Sequence, residues 1–351
     1  MHRHSLQLLV LFLAVSIVAP TASAQPLIPQ PQASPAATVT QTIGIAKVTV
    51  DFHRPGVKGR PVWGAMVPYG EVWRAGANEN TTISFSNEVT VEGKTLAAGT
   101  YGLHMIPTAS TWTVIFSANA TSWGSYYYKP EEDALRVTVT PQPAEMCEWL
   151  TYEFGEFTDN SATLSLRWEK LRVPVKLTFN TNAIVLNHIR TQHLRGMASF
   201  GWQGYNQAAQ FCLKNSFELE QALAWADRSI ALQENFANLQ TKAAILTKQG
   251  KTQDAKTIEA RSMRLATEAD INMLAYQMMN AGKLKEAIEL FQKNAKDYPN
   301  SWNVFDSLAE GLEKQGDIKG AITNYEKALK IVADDQNKKR ITDTLTRLRA
   351  K

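Results

Sequence analysis

GKLKEAIELF at 282–291 and GDIKGAITNY at 316–325 lie 34 residues apart and align along their length. Ala287 falls on Ala321 and Phe291 on Tyr325; upstream, Leu274 falls on Leu308 and Ala275 on Ala309. Small residues recurring at fixed places let paired helices approach closely, and the large ones fill the space between hairpins. Pro299, just beyond a run ending Lys296-Asp297-Tyr298, cannot continue a helix and marks its stop. Gly250 and Ala255 carry the pattern one unit earlier, and Asn215 and Ala222 mark a degenerate first hairpin. The stretch Ile331 to Leu348 contains a polar final helix suited to capping the stack. Residues 201–351 therefore read as roughly four helical hairpins.

That period and those positions resemble the tetratricopeptide repeat, which implies an α-solenoid with an extended docking surface. The chain before it reads differently. Short alternating runs typical of half-buried strands occur at Ile45–Phe52, Thr81–Phe85, Glu88–Val91, Trp112–Phe116, Leu135–Thr140, Leu150–Phe154 and Ala162–Trp168. Val91-Glu92-Gly93-Lys94 reads as a hairpin, and Ala98-Gly99-Thr100 as a turn. Residues 38–174 are thus expected to form an antiparallel β-sandwich or open barrel. The extended VPVKLTF run at 173–179 leads into a bridging segment, 175–200, with a helix capped by Thr181. The fold class is multidomain, β followed by α.

The first residues read as an export signal. His2 and Arg3 precede the apolar run Leu6 to Ala19, and Ala22-Ser23-Ala24 supplies small residues before a cleavage point after Ala24. Residues 1–24 are the expected signal peptide, and no later run has the length of a spanning helix. The mature chain is expected in the periplasm or secreted. Residues 25–37, rich in Pro, Gln, Ala and Ser, read as a disordered linker. Lys and Arg together number 37 against 33 Asp and Glu, without a basic block, so nucleic acid is not an expected partner. The two cysteines, Cys147 and Cys212, are either a bridge or two small buried apolar groups.

Unusual chemistry is concentrated between Arg54 and Glu79, RPGVKGRPVWGAMVPYGEVWRAGANE. Arg54 and Arg60 offer planar forks for carboxylate or phosphate, and Lys58 offers a mobile charge. Trp63, Tyr69 and Trp73 are candidates to stack on a sugar or aromatic ring. Arg74 and Glu79 either pair to lock the AGANE turn or contact a ligand; Asn78 either holds the turn or joins them. His104, with His53, is a candidate acid–base pair, metal pair or structural hydrogen-bonding group. No third metal ligand or cofactor motif accompanies them, so no metal and no cofactor are assigned. Trp123 and Tyr126 in WGSYYYK are candidates to close a groove against Trp73 and His104. A Ser125–His104–Asp133 assembly is conceivable, without the GxSxG turn. Glu71 with Glu79, or Glu131 with Glu132, offers paired carboxylates of a kind common on surfaces.

SPAATVTQTIG, the Arg54–Glu79 stretch continuing into NTTISFS, AAGTYGLHMIP, WTVIF and WG resemble, in this order, the bacterial extracytoplasmic domain of unknown function 2911 family. The resemblance runs from Ser34 to about Pro174. It implies a cell-envelope or secreted β domain, sometimes joined to tetratricopeptide-like repeats, and assigns no catalytic residues. The combined reading is an extracytoplasmic binding or scaffold protein. Its repeats would dock a protein or peptide, and its β domain would take a glycan, peptide or anionic small molecule. The binding candidates are Arg54, Lys58, Arg60, Trp73, Arg74, Asn78, Trp123 and Tyr126. The alternative is an envelope hydrolase using Glu79 and His104 for proton transfer and Arg74 to stabilise negative charge.

Overall fold

The computed structural model describes residues 30–350. The expected signal peptide, residues 1–24, and the first part of the linker lie outside the described residues. Two compact units are present, one ending at Phe179 and the other running from Asn180, with the turn Gly44–Ala46 grouped with the second.

The first unit is antiparallel β. Its strands are β1 (Ala36–Ile43), β2 (Ala46–His53), β3 (Thr82–Phe85), β4 (Val89–Val91), β5 (Lys94–Leu96), β6 (Gly99–Ile106), β7 (Trp112–Ser117), β8 (Asp133–Val139), β9 (Gln142–Gly155) and β10 (Ser161–Thr178). They form a six-stranded sheet, β1-β2-β3-β6-β7-β8, and a four-stranded sheet, β5-β4-β10-β9, with no closed barrel. Alternation decides which side chains enter the core: in β2, Val48, Val50 and Phe52 are buried while Lys47 and Asp51 face water. Phe52 meets Tyr152 of β9 edge-on at 4.9 Å, which ties the two sheets together. The β4–β5 hairpin turns at Glu92 and Gly93, with φ of 47° and 83°. Two positive φ values match the turn type whose twist suits a tight hairpin.

Three sequence expectations are corrected here. β1 begins at Ala36, inside the segment 25–37 expected to be disordered. Its approach is fixed because Ser34 O accepts from Asn78 Nδ2 at 3.1 Å and Pro35 O accepts from Arg54 N at 2.9 Å. Gly99 and Thr100, expected in a turn, open the strand β6. Tyr101 to Met105 are all buried, which hides the period-two signal. Finally, β10 is one 18-residue strand that ends past Pro174, so the β unit takes the first residues of the supposed bridge. Pro174 lies between the pairing with β9, which reaches Arg172, and that with β4, which begins at Leu177. A residue without an N–H is tolerated in that gap.

The second unit holds ten helices among the described residues: α1 (Thr181–Thr191), α2 (Trp202–Lys214), α3 (Leu219–Leu232), α4 (Phe236–Lys248), α5 (Thr252–Leu265), α6 (Glu268–Asn280), α7 (Leu284–Asp297), α8 (Trp302–Gln315), α9 (Ile318–Ile331) and α10 (Asp335–Arg349). Asn180, rather than Thr181, caps α1, because its side chain accepts from Ala183 N at 3.1 Å. The pairs α2–α3, α4–α5, α6–α7 and α8–α9 form four hairpins, and α10 packs on α9. The aligned small residues Ala275, Ala287, Ala309 and Ala321 are all fully buried, as close helix approach requires. Phe291 is fully buried beside them, and such a side chain contributes about 2–3 kcal/mol of burial. Cys147 and Cys212 are both free thiols.

Candidate functional site

The residues singled out between Arg54 and Glu79 divide into two groups with different tasks. Those from Arg54 to Arg60 attach their loop to the edge of β9. Val57 N donates to Glu148 O and Leu150 N to Pro55 O, and Gly56 bridges Trp149. The side chains continue this attachment. Arg54 donates to Leu150 O and lies over the Phe52 ring, and Arg60 donates to Gly56 O at 2.6 Å and Val57 O at 3.1 Å. Lys58 N donates to Glu148 Oε1, with its ammonium 5.9 Å from the Trp149 ring. Guanidinium groups spent on backbone carbonyls are fasteners, so Arg54 and Arg60 do not form the expected anion fork.

The second group builds a pocket. Trp73 exchanges backbone hydrogen bonds with Met105 of β6 and sends its indole N–H to Gly76 O. Its ring stacks on Trp168 at 5.9 Å and meets Trp63 edge-on, so Trp73 belongs largely to an aromatic core with Trp112. Arg74 does lock the AGANE turn, but through the Asn78 carbonyl and not through Glu79. Asn78, at φ 56°, uses its side chain to hold Ser34. Glu79 instead places Oε2 3.1 Å from His53 Nε2. Among the described residues no contact joins Glu79 to Arg74 or to His104, and the two histidines take different partners. The expected Arg74–Glu79 pair, the His53–His104 pair and the Glu79–His104 proton relay are therefore not formed.

Arg74 reaches across to the connection between β7 and β8. Its guanidinium lies 5.3 Å from the Tyr126 ring and fills the space above Gly124, where a Cβ would come within 2.6 Å of it. Gly124 also has φ 60°, a conformation that costs other residues energy. Pro68, Glu71, Val72, Trp73, Arg74, Ser125 and Tyr126 line an open pocket of about 380 Å³. Trp123, Tyr126 and Tyr127 stand well exposed on this loop. The structure thus brings Trp73, Arg74 and Tyr126 together, leaves Arg54 and Lys58 on β9 and Arg60 folded onto its own loop, and leaves Trp123 in solvent.

Beneath the loop, His104 is almost fully buried on β6, and its Nδ1 lies 2.8 Å from Ser125 Oγ. The Tyr128 ring packs against the imidazole at 5.3 Å, and Tyr128 donates to Asp133 Oδ2 at 2.7 Å. Arg136 also binds that carboxylate. Burial pulls the His104 pKa from 6.5 down to about 4; nearby Asp133 opposes the shift and Arg74 adds to it. The imidazole is consequently neutral at ordinary pH. Burial, together with the hydrogen bond to Asp133, pushes Tyr128 up to about 12. Ser125 and His104 meet, whereas Asp133 binds Tyr128 and Arg136 and reaches the imidazole only through its charge.

A second cavity, about 500 Å³, opens in the helical unit, lined by Gln240 of α4, Glu259 and Met263 of α5, Leu274 and Met278 of α6, and Lys283, Glu286, Glu289, Leu290 and Lys293 at and along α7. It lies where the repeat loses register. Gly250 and Ala255 precede Gly282 and Ala287 by 32 residues, against 34 for the next unit. The connection from α5 to α6 is only Ala266-Thr267, whereas four residues join α7 to α8. The helices α2–α3 share one apolar cluster with α4, and α6–α10 form another. Leu308 is 7% exposed, while its repeat counterpart Leu274 is half-buried and faces the groove. None of the groove residues carried a sequence signal as a site; the shortened period was the available clue.

Residues 34–177 match the family described as protein of unknown function (DUF2911), which spans the β unit. No curated protein matches the chain. Among solved structures, the chain is similar to YrrB, described as a TPR protein with an unusual peptide-binding site, at 16% identity and a TM-score of 0.28, covering 47% of this chain and 84% of that one. A MamA structure from Desulfovibrio magneticus RS-1 has 15% identity and a TM-score of 0.28, covering 44% and 85%. The C-terminal part of a TPR repeat-containing protein from Cytophaga hutchinsonii has 16% identity and a TM-score of 0.29, covering 43% and 60%. Likenesses this distant carry no functional weight.

Proposed function

We propose that the protein is exported and acts as a binding scaffold whose helical unit docks a short peptide segment of a partner protein. The observation that carries this reading is the groove at the α5–α6 junction, where repeat packing opens. Its floor is apolar, from Met263, Leu274, Met278 and Leu290, and its rim carries both Glu259, Glu286, Glu289 and Lys283, Lys293. Methionine floors adapt to differently shaped apolar side chains. The matching occupant is a segment with two or three apolar residues flanked by charges of both signs. A peptide library selected on the full mature chain tests this. The selected peptides should bind at least ~10-fold more weakly to Met278→Glu, because a carboxylate on an apolar floor costs more than ~1.4 kcal/mol. Unchanged affinity places binding elsewhere.

A second reading is carried by the β-unit pocket. Tyr126 offers an exposed ring face, Arg74 a guanidinium and Glu71 a hydrogen-bond acceptor, a set suited to an acidic sugar. Saturation-transfer spectra with glucuronate should show contact in the wild type and lose it in Tyr126→Ala. Equal signals in both reject the site. The hydrolase reading that relied on Glu79 is not retained, since Glu79 is engaged with His53.

A further inference from the structure

We propose that Ser125 is a nucleophile toward short acyl esters, with His104 accepting its proton, in the pocket between residues 68–74 and the β7–β8 connection. Ser125 is half-exposed, lines that pocket and points its hydroxyl at a buried imidazole. A base that takes a proton from a nucleophile must sit within hydrogen-bond reach of it, and 2.8 Å meets that condition. The ring is held in place. Tyr128 packs against it with the rings tilted at 59°, and Tyr128 is tied in turn to Asp133 and Arg136. Ser125 and Tyr128 from the connection touch the imidazole, and the charges of Asp133, at the start of β8, and of Arg74, just before the AGANE turn, act on it from nearby. In the neutral tautomer that carries its proton on Nε2, Nδ1 accepts from Ser125 Oγ. Gly124, at φ 60°, turns the chain just before the nucleophile, and its missing Cβ admits the Arg74 guanidinium beside it.

The reaction balances with water as the only co-reactant. Ser125 Oγ bonds to the acyl carbon while its proton passes to His104 Nδ1. Negative charge develops on the former carbonyl oxygen, where Arg74 is the nearby cation. The C–O bond to the alcohol breaks, and the alcohol leaves with the proton from His104. Water then attacks the acyl-serine, His104 takes its proton, and Ser125 recovers it as the carboxylic acid departs. A pocket of about 380 Å³ suits a small acyl group on a polar alcohol, and Tyr126 and Glu71 suit a hydroxyl-bearing ring as that alcohol. The proposal requires the pocket to be open, but does not require tight glucuronate binding: Ser125→Ala should lose the chemistry and keep any sugar contact.

A fluorophosphonate probe applied to the full chain, with the labelled peptide located by mass spectrometry, provides the test, alongside turnover of 4-nitrophenyl acetate. Labelling is expected on Ser125, absent in Ser125→Ala and slowed by at least ~100-fold in His104→Gln. The wild-type rate should be level between about pH 6 and pH 8 and fall as His104 protonates near pH 4. An unassisted hydroxyl reacts through its alkoxide and gains ~10-fold per pH unit over that range. No labelling of Ser125, or equal rates in wild type and His104→Gln, overturns the proposal. If His104→Gln does not fold, the wild-type profile decides, and a rate climbing with every pH unit overturns it equally.

Discussion

Replacing His104 by Gln should remove a pH dependence of β-unit stability whose size follows from the burial of the imidazole. Well above pH 6.5 the ring is neutral in both the folded and the unfolded chain and contributes no pH dependence. As pH falls from 6.5, the unfolded chain takes up a proton that the folded chain excludes until about pH 4. Stability must therefore decline on acidification, and the loss levels off below that value. The full shift corresponds to ~3 kcal/mol, of which ~2.5 kcal/mol is already lost at pH 4.5. Carboxylates titrate in the same window, so the quantity to compare is the loss in wild type minus the loss in His104→Gln. Pulse proteolysis in urea, read on peptides from β6 and β7, follows this unit separately from the helices. A difference of ~2 kcal/mol or more between pH 7 and pH 4.5 is expected. Parallel curves would mean that the ring is solvated, and that its orientation toward Ser125 is wrong.

Gly204 in α2 sits against the Ala198 backbone carbonyl, so Gly204→Ala cannot be accommodated by a side-chain movement; a loss of ~2 kcal/mol or more in the helical unit is expected by urea unfolding. Phe291→Ala should cost ~3–5 kcal/mol in the same unit, since the ring is fully buried between hairpins. A loss under ~1 kcal/mol would contradict the shared core of α6–α10. Export predicts that the mature chain begins at Gln25, which N-terminal peptide mass spectrometry of the secreted or periplasmic fraction checks; an intact Met1 there contradicts it.

How much of this was legible in the sequence depended on whether the signal was local. The last two hairpins were legible because Ala287/Ala321 and Phe291/Tyr325 repeat a packing rule at one fixed offset. The groove was not, because a two-residue shortening at Ala266-Thr267 changes how hairpins meet without changing what each helix looks like. In the β unit, β10 was visible although Ser161 to Leu166 are all buried, whereas β6, with five buried residues in a row, and the alternating β1 were both missed. The cationic stretch held the right residues but misled about their partners. Arg54 is consumed by a carbonyl of β9 and Arg60 by carbonyls of its own loop, and Glu79 finds His53 instead of Arg74. The Ser125–His104 contact joins positions 21 residues apart on a loop and a strand. Only the fold makes them neighbours.

The scaffold reading is tested most directly by site-specific photo-crosslinking to a library-selected peptide. Benzoylphenylalanine at Leu274, which lines the groove, should capture the peptide, and the same group at Gln253, exposed at the start of α5 and outside the lining, should not. Capture at Gln253 with none at Leu274 would contradict the account.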